Sequence, residues 1–122
     1  MEEQRRNPRY PCAGMAEIRL SPAASIISAR ILDLSLEGCL IALQLPEALP
    51  RQLKVELMFS VHGLPFRVWG RLNCVRANHS LGFQFTHVSD RILHQLQELM
   101  EELAAERQKN KSRLKLVTKP SA

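Results

Sequence analysis

The sequence predicts a mainly β domain: a small antiparallel barrel or sandwich of six short strands, followed by one C-terminal helix. Three observations carry this prediction. Apolar positions alternate at period two through Leu53, Val55, Leu57 and Phe59, and again from Phe66 through Val68 to Leu72. Turn residues recur roughly every dozen residues between positions 14 and 86, the spacing of an all-β fold. The period then changes to three and four at Ile92, Leu93, Leu96, Leu99, Met100 and Leu103, which is one apolar face of a helix.

The first strand runs from Met15 through Ile18 to Leu20 and breaks at Ser21-Pro22. The second spans Ser25 to Leu34 and carries Ile26, Ile27, Ile31 and Leu32. The third is Cys39-Leu40-Ile41-Ala42-Leu43, and Pro46 and Pro50 bracket the loop behind it. The fourth is the alternating run Leu53–Phe59. His62-Gly63 then forms a hairpin turn. The fifth strand puts Trp69 on the face opposite Phe66 and Val68. Ala77-Asn78-His79-Ser80 turns the chain into the sixth, which holds Leu81, Phe83 and Phe85 with Gly82 near its start. Closure into a barrel would remove the exposed edges that a small open sheet has to protect. Ser89 or Asp90 is the expected N-cap of the helix, because a short side-chain oxygen accepts a free N–H of the first turn. The bases from Arg107 onward suit the negative end of the helix dipole, and the helix continues or frays toward Lys119-Pro120.

With 122 residues, the chain is sized for one domain. Its 45% hydrophobic and 24% charged residues exclude a disordered chain. No apolar run approaches the ~18 residues of a membrane span. The opening Met1-Glu2-Glu3-Gln4-Arg5-Arg6 has no apolar stretch behind it, so no secretory signal is expected and the cytoplasm is the expected compartment. Cys12, Cys39 and Cys74 are scattered and odd in number, which argues against a zinc site or a disulfide framework; they read as small apolar residues. The net charge of +5 is unevenly distributed. Arg107, Lys109, Lys111, Arg113, Lys115 and Lys119 hold six bases without an acid, which leaves eleven bases against all twelve acids in the rest. The body is nearly neutral, and the tail carries the basicity. This weakens a nucleic-acid reading built on total charge.

An enzyme reading finds little support. The chain has no glycine-rich phosphate loop and no HExxH. His62, His79, His87 and His94 are dispersed, and Glu98, Glu101, Glu102 and Glu106 read as a solvated helix face. Two local clusters stand out instead. Arg5-Arg6-Asn7-Pro8-Arg9 spaces Arg5 and Arg9 as RxxxR, and Pro8 and Pro11 keep these arginines on an extended arm. Asp33-Leu34-Ser35-Leu36-Glu37-Gly38 is spaced DxSxxG between strands two and three. Asp33 and Ser35 share a face if the strand continues, with Leu34 and Leu36 turned inward. Gly38 suits a positive-φ turn or a close backbone approach. A carboxylate matches the N1–H and exocyclic amine of guanine. A guanidinium matches the O6/N7 edge, pairs with phosphate and stacks on a base. A serine hydroxyl donates to phosphate. Together these groups point to a guanine nucleotide, and the missing P-loop argues against triphosphate hydrolysis.

Over roughly residues 4–106 the sequence resembles the PilZ domain, the cyclic di-GMP receptor module. The resemblance rests on Arg5/Arg9 as RxxxR, on Asp33/Ser35/Gly38 as DxSxxG, and on the late Gly82-Phe83-Gln84-Phe85 strand. It implies a six-stranded antiparallel β-barrel with a C-terminal helix. It implies that Arg5 and Arg9 grip the guanines and phosphates of cyclic di-GMP, with Arg6 as a further contact. Asp33 and Ser35 would line the barrel beneath the ligand, and Gly38 would shape the turn. The expected layout is a flexible arm over 1–11, barrel and helix over 12–106, and a basic tail over 107–122. The ligand would clamp the arm onto the barrel and change the surface offered to an effector protein, with no other cofactor and no metal. Two other readings stand beside this one: a small barrel that binds nucleic acid through the basic tail, and a constitutive interaction subunit that binds no ligand.

Overall fold

The computed structural model describes residues 7–20, 25–43, 49–50, 52–76 and 79–118, with side chains as far as Asn110. The elements are β1 (Tyr10–Leu20), β2 (Ser25–Leu34), β3 (Gly38–Leu43), β4 (Lys54–Val61), β5 (Leu64–Arg76), β6 (Ser80–His87) and α1 (Asp90–Thr118). All strand pairs are antiparallel, and the sheet closes in the order β1-β2-β3-β6-β5-β4. The fold is the expected six-stranded barrel with a C-terminal helix. Closure pairs Ile18 of β1 with Leu57 of β4, and Leu57 with Val68 of β5, so one inward row crosses three strands. A second row, Ala16, Phe59 and Phe66, runs beside it. The Phe59 and Phe66 rings stack at 5.3 Å. Leu96, Leu99, Met100 and Leu103 of α1 join the same core, so the helix packs its apolar face on the barrel.

Two details of β1 depart from the sequence reading. The strand starts at Tyr10, with Tyr10 opposite Leu34 and Pro11 opposite Asp33, so residues 10 and 11 belong to the sheet. Pro11 is tolerated because the register shifts between Pro11 and Gly14, at a bulge that leaves a ladder donor dispensable. Met15 is 81% exposed, because Ala16 and Ile18 take the inward positions and alternation sends Met15 out. Ile26 is likewise outward.

The β4–β5 hairpin turns on His62 (φ 55°) and Gly63 (φ 76°), the left-handed pair that matches strand twist. The turn also holds the helix. His62 Nδ1 lies 3.1 Å from Glu102 Oε1, and Nε2 lies 3.3 Å from Glu106 Oε2. Donating to both carboxylates needs both ring N–H groups, hence the imidazolium. The Glu102 hydrogen bond is the largest influence and raises the His62 pKa above 6.5; burial, second in size, opposes it, and the charges of Glu106 and Glu102 add to the rise. A raised folded-state value makes this contribution complete below the unfolded pKa and lost as pH rises through the folded one. The melting-temperature gap between the wild type and His62→Gln is therefore expected to be widest near pH 6 and to shrink toward pH 8.5. A gap that does not change with pH would remove the proton from this contact.

Ser89 is the N-cap: its Oγ accepts Ile92 N–H at 3.3 Å, and its carbonyl accepts Leu93 N–H at 2.8 Å. At the other end the helix reaches Thr118, so the basic segment expected to continue or fray is helical over most of its length. No helix among the described residues is long and apolar enough to cross a membrane.

Candidate functional site

The site is built around the turn between β2 and β3. Strand β2 ends at Leu34, and its alternation has already slipped at the register shift between Ile31 and Asp33, so that Ile31 and Leu34 are both buried. Ser35 therefore does not share an outward face with Asp33; it is 4% exposed and turned into the bend. Its Oγ accepts Glu37 N–H at 3.1 Å and Gly38 N–H at 3.2 Å, and donates to the Gly38 carbonyl at 3.3 Å. The Ser35 N–H donates to the same carbonyl at 2.9 Å. A hydroxyl has one donor and two acceptor positions, and all three are taken. The hydroxyl that composition offers to a phosphate is spent on holding the turn. Leu34 is fully buried as expected, and Leu36 is half-buried against the core.

Gly38 has no positive φ among the described residues. A Cβ there would lie 2.2 Å from the Phe83 carbonyl oxygen of β6. Of the two roles open to this glycine, close backbone approach is the one the barrel uses. The turn is fastened to the same strand by Phe85 N–H donating to the Glu37 carbonyl at 2.8 Å.

Against this turn lies a cleft of about 150 Å³. Arg9, Ser35 and Gly38 line it, so the structure brings the second arginine of RxxxR to the DxSxxG turn. Arg5 and Arg6 lie outside the described residues. Asp33 does not line the cleft. It sits on β2 opposite Pro11 of β1 and Leu40 of β3, between the two register shifts that interrupt these ladders. Bulges next to a site commonly re-aim side chains. Asp33 Oδ1 is buried and accepts no hydrogen bond among the described residues. An orphaned buried carboxylate oxygen is costly unless a donor arrives.

Sequence reading missed four polar residues of the cleft: Asn7, Glu37, Asn73 and Gln84. Asn7 and Glu37 fall inside the two motifs and were within reach. Asn73 and Gln84 come from β5 and β6, which the β3–β6 pairing carries to the turn. A second feature joins the site to α1. Pro8, Tyr10 and Leu36 face Met100 and Ala104 across an apolar crevice of about 180 Å³, and the Arg107 guanidinium lies 5.9 Å above the Tyr10 ring. A larger groove of about 500 Å³ on β1, β2, β4 and β5 contains none of the motif residues, so volume alone does not mark the site.

Burial disfavours the thiolate form of the cysteines near the site. Burial, with the Asp33 charge second, pushes Cys12 up to about 11. The fully buried Cys39 rises further, mainly by burial and then by Asp33 and Cys12, with Arg9 opposing. No group of three His, Cys, Asp or Glu among the described residues is placed to hold a metal.

A closed six-stranded barrel capped by one helix, with an arginine-bearing N-terminal segment set against the β2–β3 turn, defines a PilZ-type domain. The sequence profile of the PilZ domain matches residues 3–102, and the chain belongs to that family. Comparison with curated protein sequences gives no match. Among solved structures, the PilZ domain of Escherichia coli YcgR with c-di-GMP is similar at 20% identity and TM-score 0.71, covering 90% of this chain and 98% of that one. The complex of E. coli YcgR with c-di-GMP gives 22% and 0.78, covering 92% and 51%. The K. pneumonia MrkH–c-di-GMP complex gives 13% and 0.77, covering 90% and 57%. At these identities the likeness is one of fold. The chain spans nearly all of the isolated YcgR domain but only about half of the two longer chains.

Proposed function

We propose that this chain is a cyclic di-GMP receptor that acts as an adaptor rather than a catalyst. The observation that carries the reading is the cleft where Arg9 meets the DxSxxG turn. Family membership and similar folds solved with c-di-GMP support it. The Arg9 guanidinium pairs with a phosphate or a guanine edge, and Arg5 and Arg6 add to the grip from the preceding residues. Asp33 Oδ1, without a donor among the described residues, accepts from guanine N1–H or the exocyclic amine. Ser35 and Gly38 act through the shape of the turn. The ligand bridges the arginine segment to the barrel, and the residues just behind it, Pro8 and Tyr10, pass the ordering toward α1. An effector protein then reads the altered surface, in the cytoplasm where such a second messenger acts.

Isothermal titration of cyclic di-GMP into the full chain tests this, with GTP and cyclic di-AMP as controls. Saturable binding near micromolar affinity, selective for cyclic di-GMP, is expected. The absence of heat at millimolar ligand would overturn the receptor reading. Asp33→Ala is expected to weaken binding about tenfold, the loss of roughly 1.4 kcal/mol from one charge-assisted contact. Its melting temperature is expected to stay near wild type, because Oδ1 supports no hydrogen bond among the described residues. A variant that binds normally, or that unfolds, would make Asp33 a structural residue only.

A further inference from the structure

The outer face of β4 and β5 carries a charge arrangement that does not serve the barrel. Alternation sends Lys54, Glu56 and Met58 of β4 outward, and Arg67, Trp69 and Arg71 of β5 with them, because Val55, Leu57, Val68 and Leu72 take core positions. The register sets them in three rows: Lys54 opposite Arg71, Glu56 opposite Trp69, and Met58 opposite Arg67. On its other edge β5 meets β6, with Gln84 opposite Arg71 and His87 opposite Trp69.

Trp69 is 42% exposed in the middle of a strand. The other aromatic rings are covered: Phe59, Phe66 and Phe83 are buried, and Tyr10 and Phe85 are half-buried. In the row beside Trp69, Lys54 and Arg71 are like charges placed directly opposite each other, which destabilises a ladder. Glu56 does not offset them, because its carboxylate is bonded to Arg67. Among the described residues, no carboxylate lies within ion-pair distance of Lys54 or Arg71. An unfavourable cation pair thus sits beside the one exposed ring.

Tryptophan and arginine are the residue types that anchor protein interfaces, with the ring covered at the centre and polar groups at the rim. An occupant that fits brings carboxylates to Lys54 and Arg71 and lays an apolar side chain on Trp69. Single-stranded nucleic acid fits poorly. It stacks on successive aromatic rings, whereas Trp69 has no aromatic neighbour in its rows and faces the Glu56 carboxylate. A nucleotide in the cleft at the β2–β3 turn does not supply the counter-charge either, since neither cation lines that cleft.

We propose that the Lys54/Trp69/Arg71 face of β4 and β5 is a docking surface for an acidic segment of a partner protein. Its carboxylates pair with Lys54 and Arg71, and an apolar side chain beside them covers Trp69. The proposal does not rest on nucleotide binding.

Trp69 is the one tryptophan of the chain, so its fluorescence reads this surface directly. The probe is the peptide Glu-Glu-Phe-Glu-Glu-Leu titrated into the full chain, with Lys-Lys-Phe-Lys-Lys-Leu as control. The acidic peptide is expected to shift Trp69 emission to shorter wavelength and to protect it from acrylamide; the lysine peptide is expected to do neither. The variant Lys54→Gln/Arg71→Gln is expected to bind the acidic peptide at least roughly tenfold more weakly, through the loss of charge-assisted contacts. Its melting temperature is expected to equal or exceed that of the wild type, because the like-charge pair is gone. No change in emission at millimolar acidic peptide would overturn the proposal, as would equal binding by the variant. So would the same emission shift from oligothymidylate or phosphatidylglycerol vesicles without peptide, or from concentrating the protein alone, which would mean a second copy covers the ring. A variant that loses affinity for cyclic di-GMP and not for the peptide would assign the two cations to the nucleotide instead.

Discussion

Gly38→Ala is expected to lower the melting temperature by roughly 12 °C, the equivalent of about 3 kcal/mol in a domain of this size. The added methyl would sit 2.2 Å from the Phe83 carbonyl oxygen and 3.3 Å from its carbon, and both are backbone atoms of β6. No side-chain rotation relieves that clash. Strands β3 and β6 must part at Gly38↔Gln84, the first pair of their ladder. The same shift would pull the turn away from Gln84 and Phe83, which help to line the cleft. Stability and nucleotide affinity are therefore expected to fall together in melting and titration experiments. A variant that melts like the wild type but no longer binds would show that Gly38 serves the ligand alone.

Arg9→Ala is expected to act in the opposite pattern, with affinity for cyclic di-GMP down at least roughly tenfold and melting nearly unchanged. Arg9 precedes β1, is half-buried and makes no hydrogen bond among the described residues, so the barrel does not depend on it. Charge-assisted bonds contribute about 1.5–3 kcal/mol each, which corresponds to roughly 10–150-fold. Arg9→Lys keeps the charge but not the planar fork, so it is expected to recover only part of the loss. Titration of the three proteins at one ionic strength decides this, and equal affinities would exclude Arg9 from the site.

The residues of the barrel were legible to unequal degrees. Strands β4 and β5 follow from period-two alternation, because each has one face in the core and one in water. The helix was equally plain, since Leu96, Leu99, Met100 and Leu103 recur at helical spacing. The start of β1 was not legible. Pro8 and Pro11 argue for an arm, and only the bulge opposite Asp33 accommodates Pro11 in the sheet. RxxxR and DxSxxG named segments from which the structure brings Arg9 to the Ser35–Gly38 turn, but composition cannot say how a hydroxyl spends its bonds. Ser35 looked free for a phosphate until the turn consumed it.

The sequence by itself determined the β class, the terminal helix, the two motifs and the family they mark. These rest on local periodicity and on residue type, which act over a few neighbouring positions. Only the tertiary structure decided that Arg9 meets the Ser35–Gly38 turn, that Asn73 and Gln84 join them, and that Asp33 stands apart with an oxygen that accepts no hydrogen bond among the described residues. Those placements depend on β3 pairing with β6 across some forty residues of chain and on the close approach at Gly38. Non-local pairing is chosen by the burial of the whole core, and no short window of sequence contains it.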